Sequence, residues 1–547
     1  MQWKRRPERA VSAMLLAAVV PVMLALEAVA APQQPATGGV TEGDGLVLGT
    51  THAAAPAESA EARDARVARQ IAGREQLAER AGDPAAGLSE RNEDSVPSGG
   101  EIQLGNGDVS EDVSEANALG RNFRNTVAQT KSSTLAEPAT AKDDVEAIYI
   151  GNNGWVSRSA NSGSTWTSEP APSGPTAAPF VCCDADALHH SGLDTTFWSM
   201  LYLNSGGTRG IVRMFVRRAT IAGGNDCFYD FDPGVNRVAD YPHIGVSSGQ
   251  FYLMTNVIDT KGTSSQSDDT WVHARVIRVN ASQMANCSST LTQTSFIHVG
   301  TVGQRVFTPV ENATTTMYWG AMESSTSFRI FKWAESAAAP TQTVRSLPHG
   351  SAFTNPDCRG GTGNFDWIEK STAFSAGGFR MRGAVGGGRI TWMWNVNRDA
   401  SHLQAHVHAA TFRESDLVLI ASPHIFNQDT CIAFPVVGGN SQGDLGVSFA
   451  AGGKFGGGGS AAQGFVIVED ETSAGVTFNG LSATLTASGT HNRSDARYGD
   501  YFTIDRNERC PLSWVATNYA LLNGNTSASN VNARYVEFRS SFDPSCP

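Results

Sequence analysis

The chain has 547 residues and a formal net charge of −12 at pH 7. This acidic balance disfavours nucleic acid and anionic membrane surfaces as partners, because both are polyanions. It does not exclude an acidic glycan, since a local cluster of arginines can outweigh the net field.

The N-terminus has the pattern of a secretory signal peptide. Lys4 to Arg9 carries the positive residues, Ala10 to Leu26 is mostly apolar, and Ala28-Val29-Ala30 supplies small residues for cleavage. Pro21 interrupts the apolar run, which is shorter than the about 20 residues that a membrane span needs. We therefore expect residues 1–30 to be removed and the protein to be secreted, periplasmic or extracellular, without a membrane anchor.

Residues 31–120 differ from the rest of the chain. Pro, Ala, Gly and charged residues dominate there, and aromatic residues are nearly missing. Such a segment is either a poorly ordered linker or a pro-segment that covers the following domain until it is cleaved.

A tight turn lies between two β-like runs at Ser159–Trp166. The side chains of Ser159 and Asn161 can hydrogen-bond the turn backbone, and Gly163 can adopt positive φ without a Cβ penalty. Trp166 can fill the gap between strands. This pattern is that of an Asp-box, and its role is structural rather than catalytic.

Residues 121–547 contain short β-like runs with frequent glycines and almost no helical periodicity, which predicts an all-β domain. A similar layout recurs about every 45 to 65 residues and predicts about seven units. We expect the closing strand of the last unit at Gln103-Leu104. The first strands of the units are expected at 125–130, 182–190, 240–247, 306–313, 379–385, 431–437 and 497–505.

Three further runs resemble a known family. They are Cys182-Cys183-Asp184, Asp240-Tyr241-Pro242 and Arg497-Tyr498-Gly499-Asp500-Tyr501. Together with the Asp-box they resemble secreted bacterial BNR-type propellers, described as sialidase-like by fold. The resemblance implies a single β-propeller of about seven four-stranded blades. Ala185 and Tyr498 depart from the Gln and Trp that the family pattern has there.

All eight cysteines follow the signal peptide, and an exported chain enters an oxidising compartment, so disulfides are expected. The adjacent pair Cys182 and Cys183 either closes a strained ring or bridges to other cysteines.

The entrances of a propeller's inner strands gather around its central channel, where ligands usually sit. The charged and aromatic residues at these entrances are therefore our candidate site. As catalytic candidates we take Asp184, Asp240, Tyr241, His243, Glu311, Tyr498 and Asp500, and as substrate-binding candidates Arg380, Arg382 and Arg497. Each also has a structural alternative, as a capping residue, a hydrogen-bonded histidine or a member of an ion pair.

The sialidase signature is missing, because no Phe/Tyr-Arg-Ile-Pro run precedes Ser159 and only one clear Asp-box is present. Hydrolysis of another glycan needs two carboxyl groups, one of them protonated, for which Asp184, Asp240, Glu311 and Asp500 are available. A polysaccharide lyase needs an arginine for the uronate carboxylate together with a tyrosine or histidine base.

We expect no metal cofactor. Asp184-x-Asp186 offers two carboxylates to Ca²⁺, which is fewer than the about 6 to 8 ligands of that ion, and this pair remains the alternative. His406-Val-His408 shares one strand face but lacks a third nearby ligand for zinc.

The sequence thus leaves two classes of function open. One is a carbohydrate-active enzyme, a glycoside hydrolase or polysaccharide lyase, acting on an extracellular glycan that is neutral or acidic. The other is a non-catalytic propeller that binds glycan or protein at the cell surface. We expect a monomer in either case.

Overall fold

The structure is a computed structural model. It describes residues 46–49, 102–103, 124–130, 137–151, 154–218, 225–265, 268–300, 307–348, 357–368, 381–468, 483–494, 498–499, 502–523 and 530–539. The signal-peptide assignment and nearly all of the expected linker lie outside these residues.

The described part of the chain is almost entirely β-structure. Its helical elements are one α-helix, α1 (Ala281–Ala285), and one 3₁₀ turn, Ser191–Leu193. In that same part, no helix combines the length and the apolar character that crossing a membrane requires. Three strands precede the first regular sheet: β1 (Leu46–Gly49), β2 (Ile102–Gln103) and β3 (Arg124–Gln129).

The remaining strands form successive antiparallel meanders, which we number as units in chain order. Unit 1 comprises β4 (Ala139–Lys142), β5 (Ala147–Gly151), β6 (Trp155–Ser159) and β7 (Thr167–Pro170). Unit 2 comprises β8 (Phe180–His190), β9 (Thr195–Leu203), β10 (Gly210–Arg218) and β11 (Cys227–Phe231). Unit 3 comprises β12 (Arg237–Val246), β13 (Gln250–Asp259), β14 (Thr270–Asn280) and β15 (Gln293–His298).

Units 4 and 5 are joined by a short hairpin. Unit 4 is the three-stranded sheet of β17 (Thr316–Ser324), β18 (Ser327–Ala334) and β19 (Thr341–Ser346). We assign to it the preceding strand β16 (Val310–Glu311), which pairs in parallel with the first strand of unit 5. The hairpin is β20 (Arg359–Gly360) and β21 (Phe365–Asp366). Unit 5 comprises β22 (Arg382–Gly386), β23 (Arg389–Val396), β24 (His406–Arg413), β25 (Leu419–Ala421) and β26 (His424–Phe426).

Two more units follow, and the last one recruits a strand from far upstream. Unit 6 comprises β27 (Cys431–Gly439), β28 (Leu445–Gly452), β29 (Gln463–Val468) and β30 (Thr484–Ala487). Unit 7 comprises β31 (Ile504–Arg506), β32 (Ser513–Leu521), β33 (Val531–Arg539) and the early strand β3.

The first strands of the units lie side by side. In chain order, β4, β8, β12, β16, β22, β27 and β31 each contact the next, and β31 contacts β4. Residues of neighbouring units share the hydrophobic clusters, as where Ile148 of unit 1 packs with Trp198 of unit 2. Strands rich in β-branched and aromatic residues are thus buried on both faces, which explains the near-continuous apolar runs in β9 and β13.

The sequence placed most of these first strands correctly but misassigned the earliest. Residues 125–130 were expected to begin unit 1, whereas β3 pairs antiparallel with β33 as the last strand of unit 7. Gln103 was expected to close that unit, whereas β2 pairs with β26 in unit 5. Both runs have ordinary strand composition, and a strand pattern specifies burial and period but not the partner.

The Ser159–Trp166 turn joins β6 and β7, the third and fourth strands of unit 1. Ser159 Oγ accepts from the Gly163 amide at 2.8 Å, and Asn161 Oδ1 accepts from the Thr165 amide at 2.9 Å. Gly163 has φ of +77°, and a Cβ added there would lie 2.4 Å from the Tyr535 ring. The turn therefore requires glycine twice over, for its backbone angle and for its close approach to unit 7.

Trp166 packs across the boundary between unit 1 and unit 7. Its ring lies 5.1 Å from that of Tyr535 in β33, edge to face. Its Nε1 donates to Thr126 Oγ1 of β3 at 3.1 Å and to the Gly163 carbonyl at 3.0 Å. The turn thus fastens the early strand and the last strand to the first unit.

The disulfides settle the choice that the sequence left open. Cys182 and Cys183 are bonded to each other within β8. Cys510 is also disulfide-bonded, and its partner lies outside the described residues; no described cysteine is free. The remaining bonds join units or insertions, and they are Cys227–Cys287 and Cys358–Cys431.

We expect Gly163→Ala to destabilise the fold more than Gly456→Ala. Both glycines have φ of +77°, but nothing lies within 4 Å of a Cβ added at Gly456. The difference between the variants isolates the clash with Tyr535, which should lower the free energy of unfolding by about 1 to 3 kcal/mol, as overpacking does. Denaturant unfolding measures both values, and equal losses would show that the turn does not press against unit 7.

Mass spectrometry of the mature, non-reduced protein should find the Cys182–Cys183 bond inside one peptide. That peptide should gain the mass of two hydrogens on reduction, and Cys227–Cys287 and Cys358–Cys431 should appear as cross-linked peptides. Alkylation of the native exported protein at any of these cysteines would contradict the pairing.

Candidate functional site

Three first strands carry the same irregularity, and in two of them, β8 and β12, it sets the direction of polar side chains. β8 and β12 each have a bulge that contains a non-glycine residue with positive φ, namely Asp184 (57°) and Tyr241 (51°). Two residues further on lie Asp186 and His243. A bulge adds a residue to one strand and re-aims the side chains that follow it.

The bulges of neighbouring units are linked by hydrogen bonds. Asp184 Oδ2 accepts from the Tyr241 amide at 3.2 Å. In unit 6 the corresponding left-handed residue, Phe434, donates its amide to Asn395 Oδ1 of unit 5 at 2.7 Å. A side chain of one unit thus satisfies an amide that the bulge of the next unit removes from its own ladder.

Asp186, His243 and Arg382 meet where the first strands converge. His243 Nδ1 lies 3.0 Å from Asp186 Oδ2 and 2.8 Å from an Nη of Arg382. A ring nitrogen offers one in-plane site, so Nδ1 either donates to Asp186 or accepts from Arg382. The two arrangements differ by the position of one proton. Arg382 also reaches the Phe502 carbonyl beside unit 7 at 3.4 Å.

Glu311 of unit 4 faces the same group. Protein atoms surround its carboxyl group closely, yet the residue keeps part of its surface exposed. Burial, with the charges of Asp505 and Asp186 added, raises the pKa of Glu311 well above its usual range, and Arg382 offsets this only in part. This shift favours the protonated form of Glu311, which is the form that can donate a proton.

Asp505 of unit 7 completes the set, which we call the axial cluster: Asp186, His243, Glu311, Arg382 and Asp505. Burial raises the pKa of Asp505 to about 7. Its two carboxyl oxygens accept from the amides of His189 and Arg506 at 3.1 and 2.8 Å. The cluster thus draws one group from each of five units.

Asp186 is held by backbone amides, as Asp505 is. Its Oδ2 accepts from the Ile244 amide at 3.1 Å and its Oδ1 from the Ala187 amide at 2.9 Å. The axial cluster therefore combines two carboxyl groups that accept from backbone amides with Glu311, whose pKa is raised well above its usual range.

The remaining sequence candidates have different surroundings. Tyr241 packs its ring edge-on against His243, with centroids 4.4 Å apart, so it adjoins the axial cluster. Asp184 serves the bulge of unit 3 through the Tyr241 amide. Asp240 is half-buried, and its backbone carbonyl accepts from Thr255 Oγ1 at 2.8 Å.

Tyr498 lies in the hydrophobic interior and not in the axial cluster. Its ring stacks on Tyr519 at 4.5 Å and packs against Trp367, and its hydroxyl donates to the Tyr519 carbonyl. Burial raises the pKa of Tyr498 well above its usual range, which is unsuitable for a base. Tyr498, which follows Arg497 in the family-like run, is thus a core residue here.

Three candidates, Arg380, Arg497 and Asp500, lie outside the described residues, so their place in the site remains an expectation. Sequence reasoning gave Asp505 no role, although it lies at the end of an expected first strand. The signal that marks it is shared with Asp186: an ionisable residue directly after an apolar one on a first strand.

No protein-family model matches the chain, and no curated protein matches it. It is similar to solved structures at low identity. A Trypanosoma rangeli sialidase in complex with a difluoro-KDN shares 11% identity at a TM-score of 0.33, over 58% of this chain and 51% of that one. The GH93 alpha-L-arabinofuranosidase of Fusarium graminearum with arabinobiose shares 8% at 0.37, over 76% and 95%. The β-propeller domain of the Trilobed protease from Pyrococcus furiosus shares 7% at 0.35, over 76% and 97%.

The chain spans about half the length of the sialidase that it matches. All three TM-scores are below 0.5 and all identities below 25%. The function of the chain therefore has to be inferred from its own residues.

Asp505→Asn should change the pH dependence of stability. Between the unfolded aspartate pKa of about 3.9 and the folded value of about 7, the native state holds a proton that the unfolded state lacks. The free energy of unfolding of the parent protein therefore falls as the pH rises, by up to about 1.4 kcal/mol per pH unit. The variant should lack this part of the slope, so its stability relative to the parent should rise with pH.

Urea unfolding at several pH values between 4 and 8 measures these slopes. Asp416→Asn is the matched control, because hydrogen bonding to the Val418 amide lowers the pKa of Asp416 and its titration falls below this window. An unchanged slope in Asp505→Asn would show that Asp505 is ionised throughout.

Proposed function

We propose that residues 121–547 form a seven-bladed β-propeller with the axial cluster at its centre. The cyclic contacts of the first strands and the completion of unit 7 by β3 support this arrangement. In a propeller the inner strands surround a central channel, which is a common place for ligands. We further propose that the chain is secreted and acts as a monomer.

Within this arrangement, the chain functions as a glycoside-cleaving enzyme on an extracellular glycan. The observation that carries the proposal is that Glu311, whose pKa burial raises well above its usual range, lies in one cluster with Asp186, whose charge adds to that shift. Neighbouring carboxyl groups whose surroundings separate their protonation states are the hallmark of acid–base assignments in glycosidases. Glu311 is the general acid, and Asp186 is the base or nucleophile.

Arg382 and His243 orient this pair. Arg382 contributes the positive charge that moderates the repulsion between Glu311 and the other carboxyl groups. His243 Nδ1 lies within hydrogen-bonding distance of both Asp186 and Arg382, and this contact fixes the two side chains relative to each other. Arg380 and Arg497 are retained as proposed contacts to an acidic substrate, by charge-assisted hydrogen bonds.

A lyase would use the same place differently. It needs a cation at the uronate carboxylate and a base, for which Arg382 with Tyr241 or His243 is available. The protonated Glu311 favours hydrolysis, because a lyase has no need of a second carboxyl group that carries a proton.

A non-catalytic glycan-binding or protein-binding propeller is the second candidate. It is favoured by the burial of His243 and Arg382, which have 0% and 9% of their surface exposed. In this second candidate, buried groups that hydrogen-bond one another have a structural role and hold the units together, since buried ion pairs often specify structure.

Glu311→Gln should abolish cleavage while leaving ligand binding intact. The amide keeps the size and hydrogen bonding of the protonated carboxyl group but cannot transfer a proton, so turnover should fall by about 100-fold to 10,000-fold. Activity is measured on a polysaccharide panel by release of reducing ends and by unsaturated-uronate absorbance, and binding by affinity electrophoresis on the same panel.

Glu323→Gln is the control, because Glu323 pairs with Arg329 between β17 and β18, away from the axial cluster. Cleavage by Glu311→Gln at the rate of the parent would reject the assignment of the general acid. Glycan binding without cleavage by the parent protein would favour the binding propeller. New reducing ends accompanied by unsaturated-uronate absorbance would favour the lyase, because hydrolysis releases reducing ends without that absorbance.

A further inference from the structure

A histidine group lies in unit 5, on strands other than its first. His406 begins β24 and His424 begins β26, which pair antiparallel, and His402 belongs to the preceding loop. One nitrogen of each ring can be chosen such that all three lie within 4.8 Å of one another. All three residues are buried, and each belongs to an element outside the axial cluster.

Two of the imidazoles are oriented by acceptors behind them. His402 Nδ1 lies 2.9 and 2.8 Å from the two carboxylate oxygens of Asp399. His406 Nδ1 lies 3.0 Å from the Gln404 carbonyl oxygen. An acceptor at Nδ1 holds the proton there and leaves Nε2 with its lone pair, which is the arrangement of metal-binding histidines with their outer partners.

The third imidazole faces the second. His424 Nδ1 lies 2.8 Å from His406 Nε2, so without a metal it donates to that lone pair. To bind a metal through Nδ1, the His424 ring moves this proton to its Nε2, and no proton leaves the site. The two nitrogens must also separate, because a tetrahedral ion with bonds of about 2.05 Å needs about 3.4 Å between ligand atoms.

We propose that His402, His406 and His424 bind Zn²⁺, with the fourth coordination position left to water or to an oxygen of a small ligand. Three neutral imidazoles match the nitrogen preference of this ion and fall short of the oxygen ligands that Ca²⁺ and Mg²⁺ require. The carboxylate of Asp399 offsets part of the ion's charge through the His402 ring. The site is independent of the proposed glycosidase function.

His408 stays outside the site, although the sequence pairs it with His406. Its Nε2 lies 2.8 Å from Ser422 Oγ, and its ring stacks on His424 with centroids 4.2 Å apart. The two ligands that accompany His406 are distant in sequence or lie in a loop: His402 comes from the 397–405 loop and His424 from β26. That loop is at the surface, since Leu403 is 54% exposed, so an ion can enter there.

The test uses the tag-free mature chain, stripped with a chelator and titrated with ZnCl₂ against a chromophoric competitor. We expect one ion per chain in the parent protein and loss of that ion in His406→Ala and in His424→Ala. His491→Ala is the control, because His491 is paired with Thr490 and lies in another unit. CoCl₂ should give the intense visible bands of four-coordinate cobalt in the parent and the control only.

Asp399→Asn tests the orienting contact. It should weaken Zn²⁺ binding by about 10-fold to 100-fold while the stoichiometry stays at one, as loss of an outer partner does. Zinc at 100 times its Kd should raise the ratio of folded to unfolded parent protein about 100-fold.

Unchanged zinc stoichiometry in both His→Ala variants, or no stoichiometric binding by the parent, would overturn the proposal. If either alanine variant fails to fold, His402→Gln replaces it, with far-UV circular dichroism of the metal-free proteins as the folding check. Retained binding in a folded His402→Gln with the parent's affinity would equally overturn it.

Discussion

The pairing of β3 with β33 is the contact on which the other units depend. It joins residues as distant as Arg124 and Glu537, which are 413 positions apart. Trp166 and Thr126 then tie this seam to the Asp-box turn of unit 1. No disulfide among the described residues crosses from unit 7 to unit 1. Side-chain hydrogen bonds, the ion pair of Lys142 with Glu537 and the ring contact of Trp166 with Tyr535 hold the two units together.

The axial cluster is a consequence of that seam. Unit 7 contributes Asp505, whose carboxyl group accepts a hydrogen bond from the His189 amide of unit 2. Phe502, just before β31, accepts a hydrogen bond from Arg382 of unit 5 through its backbone carbonyl. If β31 did not lie beside β4 and β8, Glu311 would lose the neighbour that contributes most to raising its pKa after burial itself. The raised pKa of Glu311 therefore depends on the contacts that bring unit 7 beside units 1 and 2.

Local sequence signals predicted most of the strands and the turn. Short β-like runs in a recurring layout located β8, β12 and β27. The turn could be recognised from Ser159 and Gly163 because its chemistry depends on neighbouring residues alone. The partner of β3 could not be predicted, because a pairing between strands at opposite ends of the chain leaves no local pattern in the sequence.

The same limit explains the site. His243 and Glu311 became candidates because they lie on recognisable first strands. The burial of Tyr498 left no trace in the sequence, because a buried hydroxyl needs only one backbone carbonyl as its partner. The histidine group escaped because His424 reaches His406 across a strand pairing, whereas the sequence shows only the nearer His408.

The origin of β3 also orders the assembly of the protein in time. β3 leaves the ribosome long before β33 exists, so it must wait as an unpaired strand while six units are made. Its sequence suits that wait: Arg124, Asn125, Thr126 and Gln129 are polar, and Val127 remains 43% exposed even after pairing. A more apolar strand would offer an aggregation-prone edge to other nascent chains. The polar composition of β3 therefore matters before the protein has folded as much as its contacts do afterwards.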